Sequence, residues 1–360
     1  MELKHDTLPS FKNQDFHIGI DVHKNQWTLS IISMNMLLKK YQSIDPSPSI
    51  LLKYMQRHYP DGKYHVAYES GFSGFWAARK LKDLGVNCMV VHASDVPSSQ
   101  KERLNKNDRV DSRKIARSLS NGELMPIYIP EKIAEEYRYL NRHRLKTIKD
   151  QTRLKNRIKS VLHQFGVTIP LQYQERRWSG VFIDWLLTIK FDTEYAQFAY
   201  EDLVDQFIQT RARITTHLRK MRAMAKVQAP FDTLIPLLLT VPGIGFITAM
   251  TLVTEIIDMT RFNTLEKLAS YVGLIPSIQS SDETEINYGI TPRRNKYLRT
   301  MLIEAAWKAV KIDPALTMKF NKLSRRMHRN KAIVRIAKIL LSRIRYVLKN
   351  QKPYVLSVVN

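Results

Sequence analysis

Short apolar runs rich in β-branched residues come first along the chain. FHIGIDV (16–22), WTLSIIS (27–33) and the weaker LLKKYQ (37–42) lie close enough together to predict an antiparallel meander. Helical periodicity follows over residues 49–59. YHVAYES (64–70) is a further strand closed by Gly71, and residues 73–84 are helical with Gly85 as their stop. VNCMVV (86–91) is a fifth strand, and residues 111–119 make a last helix.

The pattern then changes. Residues 138–164 contain no Gly or Pro, and Leu145, Ile148, Thr152, Leu154, Ile158, Val161 and Leu162 recur at helical spacing. Basic residues fill much of the remainder: Arg142, Arg144, Lys146, Lys149, Arg153, Lys155, Arg157 and Lys159, opposed after Arg138 only by Asp150. A second long helical stretch covers 195–227, so the two predict an antiparallel hairpin or coiled coil. Between them, Trp178 and Trp185 are expected to be core residues. Beyond residue 230 the chain is expected to be helical, and it is strongly basic after Arg293. Three regions result: α/β over 15–125, a basic helical hairpin over 130–229, and an all-α region over 230–350.

Charge changes the picture most. With 57 Lys+Arg against 33 Asp+Glu, the 360-residue chain carries a formal net charge of +24. Such an excess calls for a polyanionic partner, nucleic acid before an anionic membrane surface. No apolar run is long enough to span a bilayer, and the longest, near 234–239, is broken by Pro236. MELKHDTLPS at the start has no apolar segment behind its charges, so a cytoplasmic, nucleoid-associated protein without a signal peptide is expected. A lone cysteine, Cys88, rules out an internal disulfide and a cysteine-based zinc finger. Like charges at helical neighbours repel, so the nearly uniform sign over 138–164 favours a helix contacting phosphates through Lys149, Arg153, Lys155, Arg157 and Lys159.

Three strands, helix, strand, helix, strand, helix is the layout of a ribonuclease H-like sheet, in which the first and fourth strands lie side by side. Asp21 ends the first strand in GIDVHK and Glu69 ends the fourth in AYESG. Asp108 and Asp111, in KNDRVDSRKIA, are three residues apart at a helix start, which puts them on nearly one face. Taken singly, the two strand-end residues suit turns and the other two suit a helix N-terminus. Together, four converging carboxylates need cations, and hard oxygen donors suit Mg²⁺ or Mn²⁺. Histidines near this region (His17, His23, His65, His92) lack the tight spacing of zinc ligands.

PGIG at 242–245, followed by an apolar helix, predicts the hairpin of a helix-hairpin-helix, with Gly243 and Gly245 exposing backbone N–H groups to phosphate. Ser280 and Ser281 follow a helix and begin a polar loop, and Arg293, Arg294, Lys296 and Arg299 cluster at the next helix start, where they suit a scissile phosphate or a nucleic-acid backbone.

In order and spacing, GIDVHK, AYESG, KNDRVDSRKIA, VPGIGFITA, RFNTLEKLASYVGLIP and ITPRRNKYLR resemble the motifs of the DEDD transposases of the insertion sequence 110 family, the bridge-RNA-guided recombinases. The resemblance covers nearly the whole chain except the middle helices. It implies that Asp21, Glu69, Asp108 and Asp111 are the metal-binding tetrad of a RuvC-like domain. It implies that a serine of the 280–281 pair, by position Ser281 before Ser280, attacks DNA and forms a phosphoserine link. It also implies a homo-oligomer, most simply a tetramer, that joins the carboxylates of one subunit to the serine of another, and a structured guide RNA that pairs with target and donor DNA. Asp282 stands where the family pattern has Gly, and Asn107 and Ser112 stand where Thr and Ala are usual.

Overall fold

The computed structural model describes residues 10–97, 108–174, 178–281 and 284–356, and the chain divides into two compact units, Met1–Ile129 and Pro130–Asn360.

The first unit is built on five strands: β1 (Asp15–Val22), β2 (Trp27–Ser33), β3 (Met36–Ile44), β4 (Lys63–Glu69) and β5 (Asn87–Val91). Their order is β3-β2-β1-β4-β5, antiparallel on the β2 side of β1 and parallel on the β4 side. This mixed sheet fits the ribonuclease H-like expectation. The period-2 alternation of β1 sorts its side chains. Phe16, Ile18 and Ile20 face a core with Leu51 and Met55 of α1 (Pro48–His58) and Ala77, Ala78 and Leu81 of α2 (Trp76–Asp83). His17, Gly19 and Asp21 therefore face the other side, where α3 (Asp108–Ser120) packs across β1, β2 and β4. Cys88 packs against the α1/α2 core, and burial pushes its thiol up to about 12, which leaves it an inert hydrophobe.

The second unit is helical except for one hairpin. The long helices α4 (Lys132–Gln164) and α7 (Glu194–Val227) lie against each other, with the short α5 (Leu171–Gln174) and α6 (Gly180–Thr188) between them in sequence. Leu154, Ile158, Leu162, Phe182, Leu186, Tyr200, Val204 and Phe207 form the core at the loop end, with Trp178 and Trp185 packed against it. The seam of α4 differs from the predicted one over its first half. Asn141, Arg144 and Thr147 are the buried positions there, while Leu145 and Ile148 are half-buried and Thr152 is exposed. The reason is a polar partner: Asn141 donates to the hydroxyls of Thr251 and Thr254, 3.2 Å away in each case.

The remaining helices are α8 (Phe231–Leu239), α9 (Phe246–Ile256), α10 (Leu265–Val272), α11 (Lys296–Ala309), α12 (Pro314–Ser324) and α13 (Arg329–Asn350). They share one apolar core, which Met221 and Ala225 of α7 join. Sequence periodicity predicts only helices here, yet β6 (Pro276–Ser281) and β7 (Thr284–Ile290) form an antiparallel hairpin. Its first strand is almost wholly polar, so it carries no hydrophobic alternation to announce it. No helix among the described residues is long and apolar enough to cross a membrane.

Candidate functional site

Parallel pairing of β1 with β4 sets the geometry of the N-terminal site. Ile20 stands in register with Tyr68, and the next residue on each strand is a carboxylate, Asp21 and Glu69. Neighbouring strands lie about 4.8 Å apart. Both carboxylates fall on the side of the sheet that α3 covers, because Ile20 and Tyr68 point into the opposite core. The helix approaches as closely as backbone permits. A Cβ on Gly19 would stand 2.1 Å from the Ser112 carbonyl oxygen and 2.3 Å from the Ala116 nitrogen. Leu119, near the end of the helix, lines a pocket with His17 and His65, so the start of the helix, with Asp108 and Asp111, lies toward the opposite, Asp21 end of β1. The side chain of Asp108 lies outside the described residues, as does Asn107.

Two of these carboxylates have basic side chains beside them. Asp21 contacts His23 Nε2 at 3.2 Å, and Asp111 accepts from Lys114 Nζ at 3.2 Å; the two acids are 21% and 23% exposed. Among the described residues, no three His, Cys, Asp or Glu side chains come together closely enough to hold a metal ion. Carboxylate oxygen is the donor type that suits a hard divalent cation. Ser112, where the resembling family has Ala, is fully buried, and its hydroxyl is satisfied by Ser30 at 3.0 Å. At the far end of the same strands, His17 and His65 stack at 5.3 Å, and His65 contacts Asp15 at 2.8 Å. Burial first, and then the charge of His65, push His17 down.

In the second unit, the PGIG turn joins α8 to α9. Its two glycines do different things. Gly243 has φ +81°, and a Cβ there would meet the Ala305 carbonyl oxygen of α11 at 2.4 Å, so this glycine serves internal packing. Gly245 is exposed and caps α9 in extended backbone, leaving the N-terminus of that helix open beside Arg222, whose guanidinium sits 5.8 Å from the Phe246 ring. Left-handed strain and backbone overlap together are expected to make Gly243→Ala cost about 2–4 kcal/mol. Urea denaturation measures this, and an unchanged midpoint would mean that the turn does not depend on the close approach to α11.

Ser280 and Ser281 lie on β6, not in a loop: Ser280 pairs with Glu285, and Ser281, the last residue of the strand, pairs with Thr284. Asp282 and its neighbour, between the strands in sequence, lie outside the described residues. After β7, Arg293, Arg294 and Lys296 are exposed. Arg299 departs from its expected role. It is 8% exposed and donates to the Thr291 carbonyl, so it fastens the loop instead of presenting its charge. Among the helix-hairpin cations, Lys149, Arg153, Arg157 and Lys159 are exposed, but Lys155 is tucked over the rings of Trp178 at 5.3 Å and Phe207 at 5.9 Å. Burial, then Arg211 and Lys159, push its ammonium down.

One group escaped sequence reasoning entirely. Glu255 is fully buried and accepts both branches of the Arg142 guanidinium at 2.7 Å, with Arg138 3.8 Å away. It also accepts from the Asn295 amide at 2.8 Å, and Asn295 in turn caps α11. A single carboxylate thus fixes the basic loop to α4. An acidic residue among apolar ones in TLVTEI was the available signal, and only a partner 113 residues away explains it.

Comparison with known proteins gives two family matches. Residues 18–167 match the transposase model of the IS110 DEDD type, and residues 235–322 match the transposase IS116/IS110/IS902 family. A protein of Sinorhizobium fredii with the provisional name transposase y4qE is 29% identical over 68% of this chain and 58% of its own length. A second from the same organism, y4rJ, similarly named, is 26% identical over 92% of this chain and 91% of its own. The transposase for insertion sequence element IS1111A of Coxiella burnetii is 24% identical over 63% of this chain and 61% of its own length. This chain thus spans less than two thirds of the first and third of these relatives and nearly all of the second.

Proposed function

This chain belongs to the IS110 family of DEDD transposases, and we propose that it cuts and rejoins DNA strands using a carboxylate centre in its N-terminal unit and Ser281 as nucleophile in its C-terminal unit. Membership in the family implies DNA as partner and a divalent metal ion. The observation that carries the reading is the pairing of β1 with β4, whose last pair, Ile20 and Tyr68, is followed on each strand by a carboxylate, Asp21 and Glu69, on the face that α3 covers. With Asp108 and Asp111 these residues would hold Mg²⁺ or Mn²⁺. When bound, such an ion supplies Lewis-acid polarisation and neutralises charge at a scissile phosphate.

The chain's own groups do the rest. The Ser281 oxygen bonds to phosphorus as the bond from phosphorus to a sugar oxygen breaks. The serine gives up its proton, and the departing sugar oxygen takes one. One phosphodiester replaces another, so rejoining needs no nucleotide hydrolysis. Arg293, Arg294 and Lys296, exposed just after the hairpin that carries Ser281, orient the phosphate and balance its charge. The α8–turn–α9 segment acts as a helix-hairpin-helix, its open helix end at Gly245 and Arg222 beside it accepting a backbone phosphate. The α4/α7 pair, as a coiled-coil-like arm, contacts phosphates through Lys149, Arg153, Arg157 and Lys159. A structured guide RNA supplies sequence choice, and a homo-oligomer brings one subunit's carboxylates to another's serine.

The test is a denaturation-resistant protein–DNA adduct formed with element-end DNA, the candidate RNA and Mg²⁺. Wild type and Ser280→Ala are expected to form it; Ser281→Ala and Asp21→Ala are expected to lose it. Cleavage without any adduct, indifferent to both serines, would leave a nuclease that uses water.

A further inference from the structure

The α4/α7 hairpin is apolar at both ends and polar in the middle. Leu154, Ile158 and Leu162 meet Tyr200, Val204 and Phe207 at one end, and Met221 and Ala225 join the C-terminal core at the other. Between Phe207 and Met221, α7 contributes no buried residue. The middle of the α4 seam is Arg144.

Arg144 is only 9% exposed, its Nε is buried without a partner, and among the described residues no carboxylate or carbonyl accepts from its guanidinium. Its surroundings are basic. On its neighbour His143, the ring lies 4.9 Å from that of His217 on α7, and His217 Nδ1 is likewise buried without a partner. Arg213 stands one turn before His217. Burial, then His143, Arg144 and Arg213, hold His217 below its ordinary value, and burial pushes Arg144 down as well. The acids of the hairpin are engaged elsewhere: Asp150 with Arg153 at 2.6 Å, Glu201 with Gln197 at 2.6 Å, Asp202 with Gln206 and Asp205 with Gln209. Burying the Nε edge of a guanidinium without a counter-charge is costly, and no acid among the described residues offsets it. An anion entering the seam would.

We propose that the middle of this hairpin is an anion site that takes one backbone phosphodiester of a nucleic acid, anchored by Arg144, with His217 and Arg213 as further donors. It differs from the exposed lysines and arginines of α4, which touch phosphates from a solvated face. It rests on the nucleic-acid-binding part of the proposed function and is independent of the serine chemistry.

Binding of full-length protein to labelled duplex DNA and to single-stranded RNA of equal length, across a salt series, tests it. Arg144→Gln is expected to weaken binding on the order of tenfold, the worth of one charge-assisted hydrogen bond. It should also flatten the log–log salt slope by about 0.7–0.9, the share of one phosphate contact. The polymer whose slope changes identifies the source of the phosphate. Without nucleic acid, Arg144→Gln is expected to melt at a higher temperature than wild type, because an uncompensated buried charge is gone. Inorganic phosphate should raise the melting temperature of wild type and not of the variant. Arg144→Lys should keep part of the salt slope.

An unchanged slope on both polymers, or a variant that melts lower and still responds to phosphate, would overturn the site. So would loss of self-association with unchanged slope, which would assign the seam to an acidic segment of a second copy. A wild-type protein that binds neither polymer would instead sink the nucleic-acid reading itself.

Discussion

Alanine at position 19 is expected to detach α3 from the sheet and to abolish strand transfer. The added methyl would stand 2.1 Å from the Ser112 carbonyl oxygen and 2.3 Å from the Ala116 nitrogen. Both are main-chain atoms, so no rotamer change makes room, and the helix must move as a body. Overpacking of this kind costs about 1–3 kcal/mol or more, and backbone against backbone belongs at the upper end. The displacement breaks the Ser30–Ser112 contact and carries Asp111 away from the end of β1. A misplacement of about 1 Å at a reacting centre lowers rate by on the order of 10²-fold. Thermal unfolding of the full chain and a strand-transfer assay measure the two effects. A Gly19→Ala protein with wild-type melting and wild-type rate would show that α3 is not held by this contact.

Glu255→Ala is expected to be the most destabilising change in the second unit, at about 2–3 kcal/mol: breaking a fully buried pair costs about 3–5 kcal/mol, and Arg142, whose side chain is 36% exposed, regains part of that in water. Arg142 loses its acceptor and Asn295 one of its two, while Arg138 keeps its hydrogen bonds to the Thr254 and Glu255 carbonyls and loses only the opposite charge 3.8 Å away. Loss of the Asn295 contact also loosens the cap of α11, and with it the loop that presents Arg293 and Arg294. Urea denaturation should therefore show a lower midpoint, and DNA affinity should fall although Glu255 touches no DNA. Glu255→Gln should fall between, because an amide oxygen still accepts one guanidinium branch. A Glu255→Ala protein of wild-type stability would mean that the buried pair contributes nothing net.

Local pattern carried the first unit. Alternation in 16–22 and the glycine stops at 71 and 85 announce strands and helices whose order leaves few ways to lay out a sheet, and Asp21 and Glu69 are legible because they end strands that the sheet makes neighbours. What stayed hidden depends on partners remote in sequence. Arg142 reads as one more charge on a basic helix until Glu255, on α9, neutralises it. Arg144 reads as solvated because helical periodicity ranks Leu145 above it, and only the hydrogen bonds of Asn141 to Thr251 and Thr254 turn the helix the other way. Arg299 reads as a phosphate ligand because its charge is visible and its burial is not. The β6–β7 hairpin lacks an apolar side on its first strand, so no periodicity could report it.

The Glu255 network has an evolutionary edge. Arg138 and Arg142 lie in the segment matched by one family model and Glu255 and Asn295 in the segment matched by the other. The two segments are therefore coupled through one ion pair. A chimera whose α4 lacks Arg142, or whose C-terminal core lacks Glu255, is expected to inherit half of that pair and to lose stability accordingly.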